Sequence, residues 1–590
     1  MFERMKKQRP GRLRLGAVAT MPGGVFDIAV ASLFINVLGL AMPLALMRIF
    51  DRVIPERDAA AMFWLAAGVT SALILEALLR LGRAYVGGWM GARFEHMTGC
   101  GAVERLLGAA ITDFEKRGAG AYLERLNALK PLRELYGARA VGAIADLPFA
   151  LLFLGVIAFL AGTLALAPIA VIALFCLAAL AVGRLRSAIA EGMLANDRRF
   201  GFIIEVLGAV QTVKGLGMEE QMLRRYERLQ ETSADADYRL ALNQGRSLGF
   251  GAVLSQLALI GVAGAGAVYV VQGSLTVGGL AAAIMLTGRA VQPFEDMAAL
   301  WPRLQAARFA RERLQQILDL PVDRPTGLLE LPAIKGAIDF DGVGFSYGKG
   351  KDGEDLPPIF NDLDLHIEAG QTVGIIGRSA SGKTTLLYLM MGVLTPTAGV
   401  ARIDGYDLRE CDPAQIRRQV AYLPQQASVF NGTVLQNITM FRDDRADDAL
   451  AMAGLLGLDD FFNQLPKSYE TRIGEGAEDK LPRGTRQRIA IARALVDKPR
   501  VLLFDEANAF IDGPADARLM EVLMRLRGRV TLVMVTQRPS MLRLSDRILE
   551  IRDAGLFEHK LPSQGAAKAP QQAGGRAAPP PRAAPGPQPA

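Results

Sequence analysis

Six stretches of mostly apolar residues, near 25–47, 60–82, 144–163, 165–183, 250–272 and 275–294, constrain what this 590-residue chain can fold into. Each is close to the roughly 20 residues that an α-helix needs to cross ~30 Å of hydrocarbon. The chain is 51% hydrophobic with a positive mean hydropathy, above the ordinary range of soluble domains. We read the six stretches as membrane spans. The third and fourth are separated only by Ala165-Leu166-Ala167-Pro168 and together exceed one crossing, which predicts a tight hairpin.

Positive charge in the connections orients the spans. Segment 83–143 carries nine Lys or Arg and segment 184–247 carries ten, whereas 164–168 and 272–276 carry none. The two long basic connections are therefore expected on the cytoplasmic side, and an even number of spans leaves everything after residue 294 there too. The first outer loop, Asp51 to Asp58, is mixed in sign and does not discriminate. Residues 1–24 are basic and the apolar stretch that follows continues past the length of a signal h-region, so a cytoplasmic N-terminus is expected rather than a secretory signal. Within the connections, Glu191 to Gln211 and Glu219 to Asp237 space apolar residues three and four apart, predicting long helices that continue from the spans. The net charge of +7 is modest for this length and no nucleic-acid module is visible. Cys100, Cys176 and Cys411 are far apart, which argues against a disulfide framework or zinc site and predicts buried filler.

The second half has a different character. Val373 to Gly377 reads as an apolar strand that enters Arg378-Ser379-Ala380-Ser381-Gly382-Lys383-Thr384-Thr385 and then a helix. The stretch fits G-x-x-x-x-G-K-[ST]: backbone N–H groups around a phosphate, Lys383 reaching the β/γ-phosphates and the Thr384 hydroxyl on Mg²⁺. Arg500 to Glu506 reads as a buried parallel strand that ends in Asp505 and Glu506, as a metal-holding carboxylate followed by a general base requires. Between the two lies Tyr422-Leu423-Pro424-Gln425, and Tyr347 upstream offers an aromatic for adenine.

The order Tyr347, Lys383, Gln425, a helix over Arg486 to Leu495, then Asp505-Glu506 resembles the nucleotide-binding domain of ATP-binding cassette (ABC) transporters over residues 336–552. Six spans with two long cytoplasmic extensions resemble the membrane half of an ABC exporter. The fold class implied is an all-α six-helix membrane domain (25–320) joined by a linker (321–335) to an α/β P-loop nucleotide-binding domain (336–558). An Ala- and Pro-rich tail (559–590), which cannot form a core, is expected to be disordered. Arg48 to Pro55, Asp146 to Ala150 and Thr212 to Gly217 resemble stretches of type I secretion permease/ATPases of Gram-negative bacteria, without the N-terminal peptidase-like domain of some relatives. That resemblance implies a dimer in the inner membrane with its nucleotide-binding domain in the cytoplasm. It also implies export of protein with a periplasmic adaptor and an outer-membrane channel.

By resemblance, Gly377, Ser379 to Thr385 and Tyr347 bind ATP, while Thr384, Asp505 and Gln425 attend to Mg²⁺, Gln425 also sensing the γ-phosphate. Glu506 polarises the attacking water. Three places depart from the family. Leu481-Pro482-Arg483-Gly484-Thr485 stands where the family has Leu-Ser-Gly-Gly-Gln, and Pro482 removes both a hydroxyl and an N–H while Arg483 adds bulk. Ala509-Phe510-Ile511-Asp512 replaces Ser-Ala-Leu-Asp, and Gln537 takes the place of a catalytic His and cannot carry its charge. His96, His366 and His559 are not placed to substitute, and Arg486 and Arg488 read as surface charges. The implied alternative is a catalytically weak, nucleotide-binding partner in a heterodimeric exporter.

Overall fold

The computed structural model describes residues 22–115, 118–181, 183–322, 329–348, 354–474 and 481–559. Most of the basic N-terminus, the middle of the expected linker and the expected tail from residue 560 lie outside the described residues. The chain divides into two compact units, Met1–Pro325 and Thr326–Ala590.

The first unit is helical throughout its described residues. Its longer helices are α1 (Pro22–Leu38), α2 (Ala41–Arg48), α3 (Ala59–Leu107), α4 (Ala138–Ala161), α5 (Leu166–Ala181), α6 (Gly183–Gly208), α7 (Glu219–Val271) and α8 (Val277–Leu318). At 1.5 Å per residue the 49-residue α3 and 53-residue α7 run on the order of 70–80 Å, far beyond a bilayer core. The long rods expected from the 3.6-residue periodicity are therefore continuous with apolar segments. Among the described residues, four stretches qualify by length and composition to cross a membrane: Gly24–Glu56, Ala59–Leu107, Ala121–Leu177 and Glu219–Val271. The third contains the third apolar segment and most of the fourth, and α8, which carries Arg289, Glu295 and Asp296, holds most of the sixth.

The break between the third and fourth segments comes earlier than the sequence suggested. It is a 3₁₀ turn at Gly162–Ala165, opened by Gly162 at φ +57°. Pro168 sits in the first turn of α5, where its missing N–H costs no helical bond. Nor do the two arms form a closely packed pair: α4 packs chiefly on α8, α1 and α3, whereas α5 packs on α7 and α8.

Small residues let α8 act as the packing centre. Ala282, Ala283, Leu286 and Ala290 are fully buried, with Phe153 and Ile157 of α4 against Leu286 and Ala290. Side chains such as Phe63, Trp64 and Phe159 point outward, Phe159 with 89% of its surface exposed, as a lipid-facing surface requires. Several polar ties cross the helices. Asp51 accepts bonds from the Thr276 hydroxyl and the Gly278 N–H (both 2.8 Å), fixing the start of α8. Arg83 of α3 pairs with Asp146 of α4 at 2.8 Å, and Asn36 of α1 also donates to Asp146. Arg313 of α8 bonds both Glu124, in the helix Gly118–Asn127, and Asp197 of α6.

The second unit contains two main sheets. The strands are β1 (Ile338–Phe345), β2 (Phe360–Ile367), β3 (Thr372–Gly377), β4 (Ala398–Ile403), β5 (Tyr406–Asp407), β6 (Val420–Leu423), β7 (Gly432–Thr433), β8 (Arg472–Ile473), β9 (Val501–Asp505), β10 (Thr531–Val535), β11 (Arg547–Arg552) and β12 (Gly555–Glu558). Antiparallel β2-β1-β4-β5 forms one sheet, β7 and β8 pair separately, and the larger sheet has the order β12-β11-β3-β10-β9-β6. In the larger sheet β11, β3, β10, β9 and β6 are mutually parallel, and β12 closes one edge as an antiparallel hairpin. All five residues of β9 and of β10 are buried, which explains their unbroken apolar runs.

Candidate functional site

The carboxyl ends of β3, β6, β9 and β10 lie side by side, and the chain order jumps between β3 and β10, the kind of position at which open α/β sheets bind ligands. From β3 the chain enters the glycine-flanked loop and then α9 (Lys383–Met390). Gly382 takes φ +93°, and a Cβ there would come within 2.5 Å of Ile359 and 2.9 Å of the Phe360 ring, so both conformation and space require glycine. Ala380 is also left-handed, at φ +62°. The Lys383 ammonium donates to the carbonyls of Gly377 (3.1 Å) and Arg378 (2.8 Å), which hold it over the loop. The Ser381 hydroxyl is buried without a hydrogen-bond partner. An orphaned donor beside an ammonium and a helix N-terminus fits an anionic, phosphate-bearing ligand.

β9 delivers the two carboxylates. Asp505 is buried, and its Oδ2 accepts from the Thr384 hydroxyl at 2.7 Å and from the Tyr422 hydroxyl at 3.0 Å. Glu506 follows at φ +46° with its N–H on the Val535 carbonyl at 2.9 Å, so that its side chain turns away from the strand. The Glu506 carboxylate accepts from the Gln425 amide at 3.0 Å. Thr384, Gln425, Asp505 and Glu506 are thus in one connected cluster, and oxygen donors of this kind suit a hard divalent cation such as Mg²⁺. Tyr347 lies at the rim, 40% exposed, its ring edge-on to Phe345 and its hydroxyl 3.1 Å from that of Thr385. The exposed face leaves room for a stacked base. Gln537 is exposed just beyond β10.

Burial, and secondarily the Asp505 charge, pushes the Tyr422 phenol far above its ordinary pKa. It stays a hydrogen-bond donor at any working pH. Nothing in the sequence pattern marked this residue; only the parallel register of β6 on β9, Tyr422 opposite Leu503, brings its hydroxyl to Asp505. Gln487 was also missed: its buried side chain donates to the Pro424 carbonyl at 2.8 Å and so supports the turn that carries Gln425.

The altered signature begins α10 (Arg483–Leu495), with Pro482 at its N-cap and no side chain capping the first turn. Pro482 fits there because the first N–H groups of a helix have no internal partner. The Arg483 guanidinium lies over the Phe510 ring, 5.4 Å from its centre, so the two departures from the family motif meet each other. A Cβ on Gly484 would stand 2.8 Å from the Phe510 carbonyl, which accounts for the one glycine retained. Arg488 is not the surface charge expected: it is half-buried, donates to the Gly457 carbonyl at 2.9 Å, and burial lowers its pKa. Of the cysteines Cys411 is buried as expected, but Cys100 and Cys176 are exposed on helices α3 and α5.

A family model described as ABC transporter transmembrane region matches residues 25–294, and one described as ABC transporter matches residues 360–509. The chain is 30% identical to the cyclolysin secretion/processing ATP-binding protein of Bordetella pertussis strain Tohama I, over 91% of this chain and 76% of that protein. To the alpha-hemolysin translocation ATP-binding protein of Escherichia coli O157:H7 it is 29% identical, over 90% of this chain and 75% of that one. The solved structure of a bacterial Atm1-family ABC exporter with ATP bound matches at a TM-score of 0.81 and 23% identity, covering 91% of this chain and 95% of that chain.

Proposed function

The chain is a multi-pass membrane protein of the ABC transporter family, and from that premise we propose that it is one half of an inner-membrane exporter that uses ATP and Mg²⁺ to move a protein substrate out of the cytoplasm. The observation that carries this reading is the convergence of Lys383, Thr384, Gln425, Asp505 and Glu506 at one edge of a parallel sheet, in a chain whose other unit is built of long apolar helices. Protein as the cargo, with a periplasmic adaptor and an outer-membrane channel as partners, rests on the relatives, whose names describe secretion or translocation of cyclolysin and alpha-hemolysin.

In this reading the backbone of Gly377 to Thr385 cradles the β- and γ-phosphates, Lys383 moves from its carbonyl partners to a phosphate oxygen, and Tyr347 stacks on adenine. Thr384, Asp505 and Gln425 would hold Mg²⁺, which would supply positive charge against the developing negative charge of the phosphates. Glu506 orients and polarises the attacking water once Gln425 releases it. Gln537 offers an amide hydrogen bond where an imidazolium would offer a charged one. ATP binding closes a dimer of two such chains or of this chain with a second half-transporter, and hydrolysis resets it.

A second reading is favoured by the signature: Pro482 offers no hydroxyl, and Arg483 is engaged with Phe510. A chain so altered would serve as the weakly hydrolysing partner of a heterodimer. Losing one transition-state donor costs on the order of 10²-fold in rate, so the test is ATPase activity of the purified chain before and after Pro482→Ser, Arg483→Gly and Gln537→His together. A rise of about 10²-fold or more supports the weak-partner reading. Full activity in the unaltered chain alone supports a self-sufficient homodimer, and failure of the unaltered chain to bind ATP overturns both.

A further inference from the structure

We infer that Tyr422 is a positioning residue for the divalent cation of the ATP site, acting by holding the carboxylate of Asp505 in a single orientation. The inference rests on the ATP and Mg²⁺ reading above and goes beyond the residues that touch nucleotide or metal there.

Asp505 Oδ2 carries two hydroxyl donors, Thr384 at 2.7 Å and Tyr422 at 3.0 Å. Their situations differ. Thr384 stands at the start of α9, in the loop that meets the ligand, and its hydroxyl has lone pairs to offer a cation as well as the O–H it gives to Asp505. Tyr422 stands on β6, outside that loop, and besides Asp505 its hydroxyl meets the Tyr388 side chain. Its backbone is fixed in β6 by the parallel register with β9, and its ring is packed edge-on against Tyr388 of α9 with centres 5.4 Å apart. The phenol is therefore a donor to Oδ2 that is held by β6 and not by the loop that meets the ligand. The same short segment reaches both carboxylates, since Gln425, three residues on, donates to Glu506. A phenol fixed by backbone pairing and ring packing is pre-organised for this, because little side-chain freedom remains to be lost.

Tyr422→Phe retains the ring, hence its edge-on packing on Tyr388, and deletes the hydroxyl with its bond to Asp505 and its contact to the Tyr388 side chain. The test uses the full-length purified protein and a fluorescent ATP analogue, titrated once in EDTA and once with increasing Mn²⁺, with the Mn²⁺ electron paramagnetic resonance signal followed in parallel. The expected result is unchanged affinity in EDTA, within about twofold, and an Mn²⁺ requirement raised about tenfold, the size of losing one hydrogen bond to a charged acceptor. An Mn²⁺ requirement equal to that of the unaltered protein overturns the inference, as does an equal loss of affinity in EDTA, which would mark a purely structural role. If the unaltered protein itself binds no nucleotide, or binds it with no metal dependence, the ATP and Mg²⁺ reading fails instead. Tyr388→Leu, which removes the ring that packs on Tyr422 but not the phenol, should raise the Mn²⁺ requirement by a smaller factor; a larger effect than that of Tyr422→Phe counts against the phenol as the operative group.

Discussion

Glu124→Gln removes one ionisable group from the cluster that joins the helix Gly118–Asn127 to α6 and α8. There a single guanidinium, Arg313, serves two carboxylates: NH1 reaches Glu124 at 2.6 Å and NH2 reaches Asp197 at 2.5 Å. Burial first, then the hydrogen bond and charge of Asp197, raise the Glu124 carboxyl from its ordinary 4.5 to about 7, outweighing the opposing pull of Arg313. Because the folded pKa lies above the unfolded one, the folded chain binds the proton more tightly. The stability this contributes is fully present below about pH 4.5 and is lost as pH rises through about 7. At 1.36 kcal/mol per pH unit that gap sets a ceiling of roughly 3 kcal/mol. Glu124 is partly exposed and solvent screens its charges, so about 1 kcal/mol is the working figure. In a unit of this size that corresponds to about 2 °C in Tm. Thermal unfolding of the purified protein from pH 5 to 8.5 should find Glu124→Gln close to the unaltered chain at pH 5 and about 2 °C above it by pH 8. A difference that stays constant with pH, or that shrinks as pH rises, would refute the assignment of the shared proton to this cluster.

Two further outcomes follow from backbone and cap geometry. Gly399 in β4 takes φ +71°, and a Cβ there would run into the backbone of Gly342 at the irregular step in the β1–β4 pairing. Gly399→Ala should cost about 3 kcal/mol, summing a left-handed penalty of ~1–2 and overpacking of ~1–3, seen as a lower thermal transition and lower yield. Asp51→Ala strips α8 of the carboxylate that receives the Thr276 hydroxyl and the Gly278 N–H, and should cost about 1 kcal/mol; Asp51→Asn, which keeps an acceptor, should restore most of it in the same assay.

What could be read from the sequence was whatever local pattern determines. β9 was legible because a strand buried on both faces shows as an unbroken apolar run, and Asp505-Glu506 mark its carboxyl end. The phosphate loop was legible because Gly382 and Lys383 answer to local geometry. Contacts set by register or by long-range packing were not. Tyr422 meets Asp505 across a strand pairing, and Arg313 meets Glu124 from 189 residues away. Arg483 and Phe510 each broke the family pattern at its own place, with no sign in the sequence that their side chains meet. Arg488 looked like a surface charge because helical spacing does not reveal that Gly457 offers its carbonyl beneath it. The hairpin break, expected over Ala165 to Pro168, was misplaced because proline is a strong punctuator in sequence, yet it is well tolerated in a first helical turn, and Gly162 carries the reversal.

On the reading proposed above, this chain binds ATP at Lys383 and hydrolyses it through Glu506. The most direct measurement is ATP binding and Mg²⁺-dependent phosphate release by the purified full-length protein and its Lys383→Ala and Glu506→Gln variants, reconstituted in lipid. The account predicts that Lys383→Ala loses most nucleotide affinity. It predicts that Glu506→Gln still binds ATP while phosphate release falls by 10²-fold or more from the unaltered rate. Undiminished binding by Lys383→Ala, or undiminished phosphate release by Glu506→Gln, would contradict it.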